Sequence, residues 1–222
     1  MHQQIEVLVF KIVEEAILLQ TRKKATNWEI DNEYIMSAKD LCTIDFLDKL
    51  IASGVSVLKI EGRGRSADYV YIVTKCYREA AEAIANGTYT SDKIESWKTQ
   101  LATVFNRGFW DGYYLGRKMG EWSNVYGSSA TTKKIYLGKG HKYYDKIGVA
   151  EFLIEAHPLQ IGDEIMITGT TTGYIEAVVN EIRVNDKVVT SASKGDIASF
   201  VLSEKIRPSD KLYKKVPVEQ PA

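Results

Sequence analysis

The first half of the chain alternates between strand-like and helix-like hydrophobic patterns. An apolar run at residues 34–36 is followed by apolar positions at helix spacing across residues 41–51. Residues 55–60 are rich in β-branched side chains, which is typical of a parallel strand buried on both faces. Helix spacing returns at residues 70–84 and again at residues 92–105. These repeated strand–helix units predict parallel strands joined by right-handed crossovers, as in an α/β barrel or a doubly wound sheet.

Short polar residues mark the ends of the predicted helices. Ser37 and Asp40 predict a capping box at the start of the first helix, because the serine accepts an amide hydrogen bond and the acid three residues later reaches back. Ser66 is placed to cap the second helix, and Asn86 with Gly87 predicts where that helix ends.

The apolar opening of the chain, residues 5–19, is interrupted by four charged residues: Glu6, Lys11, Glu14 and Glu15. A membrane helix needs about 20 predominantly apolar residues, and a signal peptide needs a basic start and an unbroken apolar stretch. The pattern therefore predicts a core strand followed by a helix in a soluble protein without a membrane partner.

Beyond Lys133 the pattern changes to short strands separated by turn residues. The strand-like runs lie at residues 133–137, 148–154, 164–168, 174–184, 198–202 and 211–216. Evenly spaced short strands of this kind predict a small β-barrel or sandwich. Residues 116–132, rich in Gly, Ser and Thr, predict a linker. The sequence thus predicts an α/β domain with trailing helices at residues 1–115 and an all-β domain at residues 133–222.

Composition narrows the class of protein. Lys plus Arg and Asp plus Glu number 29 each, so the net charge is zero, and only a local basic loop would attract nucleic acid. Apolar residues at 45% and charged residues at 26% are average for a globular protein. The two cysteines exclude a disulfide framework and a four-thiolate metal site. We therefore expect a soluble, cytoplasmic globular protein.

Three motifs resemble the collagenase-like peptidase family U32. They are Tyr-Ile-Met-Ser-Ala-Lys-Asp-Leu-Cys at residues 34–42, Leu-Lys-Ile-Glu-Gly-Arg at residues 58–63 with Arg65 and Ser66, and Asn-Arg-Gly-Phe at residues 106–109 followed by Gly112. Members are named peptidases, but bacterial relatives act in RNA modification. The branch that looks most similar hydroxylates the wobble uridine of tRNA, with prephenate implicated as a requirement. The resemblance implies an N-terminal TIM-like α/β barrel and a C-terminal small β-barrel of the translation-factor type.

The resemblance also implies that part of the family's architecture is missing from this chain. The family's barrel begins farther upstream, so we expect a C-terminal fragment, or the product of a truncated or frameshifted reading frame, holding only the last barrel units. The missing barrel half is then an expected partner, together with tRNA. Residues 1–24 lack the family's signature cysteines, so an iron–sulfur cluster is expected only in full-length relatives and no metal or cofactor is expected here.

The strongest candidate site is the loop after the predicted strand at residues 55–60. Glu61 ends that strand, and Gly62, Arg63, Gly64 and Arg65 lead into the next helix. Barrel enzymes build their sites at the C-terminal ends of strands, often with a phosphate site, and glycine amides and guanidinium groups suit an anion. We predict Glu61 as a catalytic residue and Arg63, Arg65 and Lys39 as phosphate or RNA ligands. Alternatively, Glu61 pairs with Arg63 to close the barrel, and Lys39 is solvated.

Aromatic and basic side chains form two further candidate groups. Phe109, Trp110 and Tyr113 are placed to stack bases, or else to pack between domains. Four lysines either contact an RNA backbone or protect an edge strand from pairing: Lys133, Lys134, Lys139 and Lys142.

Other catalytic signatures are missing. Cys42 and Cys76 have no partner at metal-ligand spacing and are expected to be buried thiols. The chain contains neither His-Glu-x-x-His nor Gly-x-Ser-x-Gly. Three functions stay open: the C-terminal part of a U32 protein acting in tRNA wobble-uridine hydroxylation, a collagenase-like peptidase, and an inactive binding or scaffold fragment.

Overall fold

The computed structural model of the protein describes residues 7–13, 16–21, 27–30, 37–116, 121–123 and 127–218. The chain divides into two compact units. The first contains Met1–Thr43 and Asn106–Ser129, and the second contains Ile44–Phe105 and Ala130–Ala222. The described residues are mostly β-sheet with a few helices. The predicted linker at residues 116–132 lies partly outside the described residues, and the predicted domain boundaries stay predictions.

The first unit begins with an antiparallel meander of β1 (Val7–Val13), β2 (Ala16–Thr21) and β3 (Asn27–Ile30). The strand predicted in the opening run is confirmed. The helix predicted after it is wrong, because the backbone of β2 pairs with β1 on one side and with β3 on the other. A short apolar run has too little periodicity to separate a strand from a helix, so pairing partners decide between them.

Two further strands of the first unit, β4 (Asp40–Leu41) and β5 (Phe109–Trp110), pair in parallel. The Asp40 N–H donates to the carbonyl of Gly108, and the Ser123 N–H donates to the carbonyl of Ser37, both at 2.8 Å. The predicted capping box at Ser37 and Asp40 is wrong, because this segment pairs with backbone that is distant in sequence. The strand predicted at residues 34–36 lies outside the described residues.

The helices of the second unit are α1 (Leu47–Ala52), α2 (Ala67–Ala85) and α3 (Ser91–Ala102). The first is shorter than predicted because residues 40–41 are in a strand. The helix prediction for residues 70–84 is confirmed, and the one for residues 92–105 is confirmed as far as Ala102, since each helix buries one apolar face. Trp97 and Leu101 form that face in α3, and in α2 it comprises Ile72, Val73, Cys76, Ala80 and Ala83.

None of the helices in the described ranges combines the length and the apolar character that crossing a membrane requires.

Residues 55–60, which lie between α1 and α2, do not form the predicted strand. Val57 is 81% exposed, Val55 43% and Leu58 41%. A parallel strand needs a neighbour to accept and donate its backbone hydrogen bonds, and no strand in the described part of the chain pairs with this segment. The prediction of a buried parallel strand is therefore wrong, and the α/β-barrel part of the predicted fold class stays a prediction.

In the described part of the second unit, ten strands follow α3. They are β6 (Thr132–Tyr144), β7 (Val149–Ile154), β8 (Leu159–Gln160), β9 (Glu164–Gly169), β10 (Gly173–Val178), β11 (Ile182–Val184), β12 (Lys187–Val189), β13 (Ser191–Ala192), β14 (Ile197–Val201) and β15 (Lys211–Pro217). Eight of them form one sheet in the order β10-β9-β15-β6-β7-β14-β11-β12, and β8 pairs with β13. The predicted all-β half is confirmed, except that the run at residues 174–184 is two strands, β10 and β11.

One hydrophobic core lies inside this sheet. Ile175 of β10 and Ile182 of β11 belong to the same buried cluster although their strands lie near opposite ends of the sheet, so the sheet curls around the core. Gly138 in β6 permits a close strand approach, because a Cβ atom there would lie 1.9 Å from the carbonyl oxygen of Leu153. Closure of the sheet into a barrel stays a prediction.

Helix α2 packs on the outer face of the curled sheet. The rings of Tyr71 in α2 and Tyr174 in β10 lie 4.6 Å apart between centroids. At the start of β6, the Thr132 hydroxyl donates to the carbonyl of Thr103 just after α3, at 2.8 Å. These contacts tie the helices and the sheet together within the second unit.

Candidate functional site

The loop at residues 61–65, which joins residues 55–60 to α2, is held by hydrogen bonds within itself. The Arg63 N–H donates to Glu61 Oε1 at 2.9 Å, and the Arg65 N–H donates to the carbonyl of Gly62, also at 2.9 Å. A Cβ atom on Gly62 would lie 3.1 Å from Cγ2 of Val70, so a larger residue would crowd the first turns of α2. The Glu61 carboxylate therefore contacts the backbone of Arg63 and fixes the loop.

The two arginines of this loop have different surroundings. The Arg65 guanidinium lies over the Phe105 ring, 4.0 Å from its centroid, and 5.4 Å from the centroid of Tyr69. A guanidinium stacked on aromatic faces is held in one orientation. Arg63 is exposed to solvent. The loop thus carries one exposed and one stacked guanidinium, and the role of both arginines as phosphate ligands stays a prediction.

An ion pair joins the first turn of α2 to the sheet. Lys134 Nζ of β6 lies 2.9 Å from Asp68 Oδ1. Burial alone would raise the pKa of Asp68, but hydrogen bonds from Ser66 and Lys134 and the charge of Lys134 outweigh it, so this pKa is lowered. The carboxylate is therefore held in its ionised form beside the loop.

The lysines of β6 differ in the strands beside them. Strand β6 pairs with β15 over residues 132–139 and with β7 over residues 138–144. The edge-protection explanation is therefore wrong for Lys139, which has a neighbouring strand on both sides, and it stays open for Lys133 and Lys134. Lys139 instead forms an ion pair with Glu155 at 2.8 Å, and Lys142 lies over the Tyr144 ring, 4.5 Å from its centroid. Lys133 is exposed.

In the first unit, two ion pairs lie along β4 and its approach. Lys39 Nζ contacts Glu121 Oε2 at 2.8 Å. The Asp40 carboxylate accepts a hydrogen bond from Arg107 Nη2 at 3.1 Å and another from the Arg107 backbone N–H at 3.0 Å. Lys39 is therefore partnered within the structure, in contrast to the solvated side chain that was the sequence-based alternative.

The aromatic candidates lie beside β5. Phe109 and Trp110 are half-buried, and the Trp110 and Tyr113 rings meet edge to face with centroids 5.2 Å apart. Tyr113 is 62% exposed, so it is the predicted stacking residue that is most open to a ligand. Gly112 has a φ of 65°, and a Cβ atom on it would lie 2.8 Å from Cδ1 of Leu41, so this position favours glycine.

Sequence reasoning found the loop but missed the partners that shape it. Glu61, Arg63 and Arg65 lie together in the second unit, whereas Lys39 and the aromatic candidates belong to the first unit. No local sequence pattern indicates that Phe105 contacts Arg65 or that Asp68 contacts Lys134, because these contacts form only when the chain is folded. The Asp40–Arg107 pair had a usable signal, since both residues lie in the motifs quoted for the family resemblance.

The cysteines do not fit an iron–sulfur cluster. Such a cluster normally needs four protein ligands, and the chain contains two cysteines. Cys42 and Cys76 are both buried, which confirms their assignment as buried thiols. Within the described ranges, no group of three or more His, Cys, Asp or Glu residues is arranged to hold a metal ion.

Comparison with known proteins identifies the family. Residues 7–124 match Peptidase family U32, and the chain belongs to this family. A collagenase of Porphyromonas gingivalis is 59% identical over 186 residues, which are 84% of this chain and 45% of that protein. An uncharacterized protease of Methanocaldococcus jannaschii is 37% identical over 82% of this chain and 45% of its own length. The tRNA hydroxylation protein P of Haemophilus influenzae is 31% identical over 73% of this chain and 35% of its own length.

The chain spans about half the length of the collagenases that it matches. The relatives carry two kinds of name, collagenase and tRNA hydroxylation protein, so family membership alone leaves both activities open.

Proposed function

We propose that this U32 protein acts in tRNA modification of the wobble-uridine hydroxylation type and that its part is to bind tRNA. The observation that carries the proposal is the loop at residues 61–65, where the exposed Arg63 lies beside the stacked Arg65. Guanidinium groups bind phosphate oxygens with two parallel hydrogen bonds. The tRNA hydroxylation protein P of Haemophilus influenzae supports an RNA ligand over other polyanions.

Each predicted residue has a place in this proposal. Arg63 and Arg65 bind phosphate. Lys39 is a further phosphate ligand once its ion pair with Glu121 is replaced by one with phosphate. Tyr113, which meets Trp110 edge to face, stacks an unpaired base, and Phe109 and Trp110 are further stacking candidates. Glu61 holds the loop in shape, and it is the candidate catalytic carboxylate of the whole protein, with the missing barrel half as its partner.

The test is tRNA binding across a salt series, because each phosphate neutralised contributes about 0.7–0.9 to the log–log salt slope. Replacing Arg63 and Arg65 by alanine should reduce the slope by about two such contributions and weaken binding to all tRNAs alike, since phosphate contacts do not read sequence. Lys187→Ala/Lys194→Ala, in the exposed β12 and a turn distant in sequence, is the matched control. A chain that binds no tRNA at low salt contradicts the proposal.

A peptidase is the second candidate, because the Porphyromonas gingivalis collagenase is 59% identical. In the part of the chain that the structure describes, neither His141 nor His157 forms a hydrogen bond with a serine, threonine or cysteine, so no histidine there supports a nucleophile. We expect no cleavage of gelatin by the purified chain. Cleavage that is lost in Glu61→Gln would reverse the order of the two candidates.

A further inference from the structure

A groove lies between the last turns of α2 and the facing side of α3. Its volume is about 430 Å³, which is within the range of small-molecule sites, and all its lining residues belong to the second unit. Glu79 and Glu82 line it from α2, and Lys93 and Trp97 line it from α3. Because most of the lining side chains are polar, the groove fits a small polar ligand better than an apolar one.

Trp97, which lines the groove, is held in place by its neighbours. Its side chain is buried, at 4% exposed, and the indole N–H donates to Glu79 Oε2 at 2.9 Å. The Tyr89 ring stacks on Trp97 with centroids 6.0 Å apart, and the Tyr89 hydroxyl donates to the carbonyl of Ile44. These contacts orient Glu79 and Trp97 before a ligand binds, and such preorganisation reduces the entropy that binding costs.

The α2 wall of the groove has negative charge that a cationic group would complement. Glu82 accepts a hydrogen bond from Arg78 through Oε1, and no described residue donates to its other oxygen. The last turn of α2, which contains Glu82, has no basic residue, although the C-terminal end of a helix favours positive charge. This wall therefore favours a cationic ligand group such as an ammonium.

The α3 wall has a positive charge that no acid compensates. Lys93 Nζ donates to the Thr88 hydroxyl at 2.9 Å, and no acidic side chain in the described part of the chain forms an ion pair with it. A neutral hydroxyl leaves the charge of the lysine and its other N–H donors available. Lys93 therefore favours an anionic ligand group such as a carboxylate, with which it can form charge-assisted hydrogen bonds.

We infer that this groove binds a free polar amino acid as its zwitterion, with the ammonium at Glu82 and the carboxylate at Lys93. Walls of opposite charge fit a ligand that carries both charges better than they fit a simple cation or anion. Other lining residues, namely Asn86, Ser96 and Gln100, can form hydrogen bonds with a polar side chain. The inference goes beyond the proposed function, since no residue assigned to tRNA lines the groove.

Titration of the full chain with amino acids, followed by the NMR signal of the Trp97 indole N–H, tests the site. Trp97→Phe assigns that signal, and the probes are L-serine, L-asparagine and L-glutamine. Ligands of about ten non-hydrogen atoms or fewer should bind here with a dissociation constant on the order of millimolar. A signal that none of the three probes shifts, at a concentration about ten times higher than that constant, would overturn the inference.

Analogues that lack one charge test whether both walls take part. They are the decarboxylated amine and the deaminated acid of the amino acid that binds, which for L-glutamine are 4-aminobutanamide and glutaramate. Each should bind about threefold to tenfold more weakly than the amino acid, because it leaves one charged wall unpaired. An analogue that binds as tightly as the amino acid would show that one wall takes no part, which contradicts the inference.

Substitutions on the two walls test which ligand group each wall binds. Lys93→Gln should weaken binding of the amino acid about threefold to tenfold and leave binding of the amine unchanged, and Glu82→Gln should weaken it similarly and leave binding of the acid unchanged. Lys98→Gln is the matched control, because Lys98 lies in the same helix but does not line the groove. Circular dichroism checks that each variant is folded. Equal effects of Lys93→Gln and Lys98→Gln would overturn the inference.

Discussion

Two apolar runs of equal length differ in burial and in strand pairing. Val149–Ile154, with the sequence Val-Ala-Glu-Phe-Leu-Ile, is strand β7, which lies between β6 and β14 and buries Ala150, Phe152 and Ile154. Residues 55–60, with the sequence Val-Ser-Val-Leu-Lys-Ile, pair with no described strand, and Val57 is 81% exposed. Both runs have strand-like composition, so propensity alone does not account for the difference.

The two runs differ in whether other strands pair with them. β-propensity measures how well a side chain fits a half-buried pleated surface, and that surface exists only when other strands supply it. For β7, turns at residues 145–148 and a strand that is distant in sequence provide both sides of the ladder. Sequence pattern is thus a necessary condition for a buried strand and not a sufficient one.

Hydrogen exchange should show the largest contrast between the two runs. The amides of β7 should exchange only on global opening, which for a domain stable by about 5–15 kcal/mol gives protection of roughly a thousandfold or more. Amides at residues 55–60 should exchange at nearly unprotected rates in a dilute monomeric sample. Exchange followed by NMR or mass spectrometry measures both, and protection at residues 55–60 in the monomer would break the comparison.

Removing one large side chain from β7 should have the next largest effect. Phe152 is fully buried and stacks on Phe200 with centroids 5.2 Å apart. Phe152→Ala should lower the free energy of unfolding by about 3–5 kcal/mol, because it leaves a cavity in the core. Val57→Ala, at an exposed position, should change it by less than about 0.5 kcal/mol. Urea denaturation measures both, and similar losses for the two variants would contradict the burial difference.

A segment without regular secondary structure can also be held in place by hydrogen bonds to a buried carboxylate. Residues 55–60 contain no carboxylate side chain. Asp210, 6% exposed, accepts hydrogen bonds from the Arg207 N–H at 2.7 Å and from the Thr172 hydroxyl at 2.5 Å. Asp210→Ala should cost about 1–3 kcal/mol, because both donors lose their acceptor. Asp210→Asn keeps one oxygen and should cost less. Thermal unfolding ranks the variants, and an unchanged melting temperature for Asp210→Ala would count against this anchoring role.

The smallest expected effect concerns the ion pair between Lys134 and Asp68. Lys134→Ala should lower stability by about 0.2–1 kcal/mol at neutral pH, as is usual for exposed pairs. Because the pKa of Asp68 is lowered in the folded state, the stabilisation is present above the ordinary carboxyl pKa and disappears as pH falls through the lower folded value. The free energies of unfolding of the wild type and of Lys134→Ala should therefore become equal in acid.

Lys133→Ala is the control for this ion pair, since Lys133 is the preceding residue and contacts no acid in the described part of the chain. Urea titrations at neutral and at acidic pH give the comparison. A difference between wild type and Lys134→Ala that persists in acid would assign the effect to packing of the lysine stem instead of to charge.

Much of the second unit could be predicted from local sequence. The apolar face of α2 repeats at helix spacing over several turns, and Asn86 and Gly87 end it as expected. The strands beyond residue 132 alternate buried and exposed positions between turn residues such as Asn185 and Asp186, which have positive φ angles. These features depend on residues close together in the chain, where pattern rules apply.

The remaining features depend on contacts across long sequence separations. Asp40 meets Arg107 at a separation of 67 residues, and that contact replaced the helix cap predicted from Ser37 and Asp40. The stacking of Arg65 on Phe105 likewise arises only when α2 and the end of α3 are in place. A single sequence shows which side chains could bind phosphate, but it does not show which of them are oriented by aromatic neighbours.

The contact between α2 and the sheet has a consequence for how this part of the chain tolerates change. Tyr71 with Tyr174 and Asp68 with Lys134 hold α2 against the sheet without help from residues 55–60. Residues 55–60 carry no internal backbone hydrogen bonds and little buried area, which are the properties of sites that accept insertions and chain breaks. This segment is therefore where evolution or an engineer could lengthen, split or fuse the protein while its core stays folded.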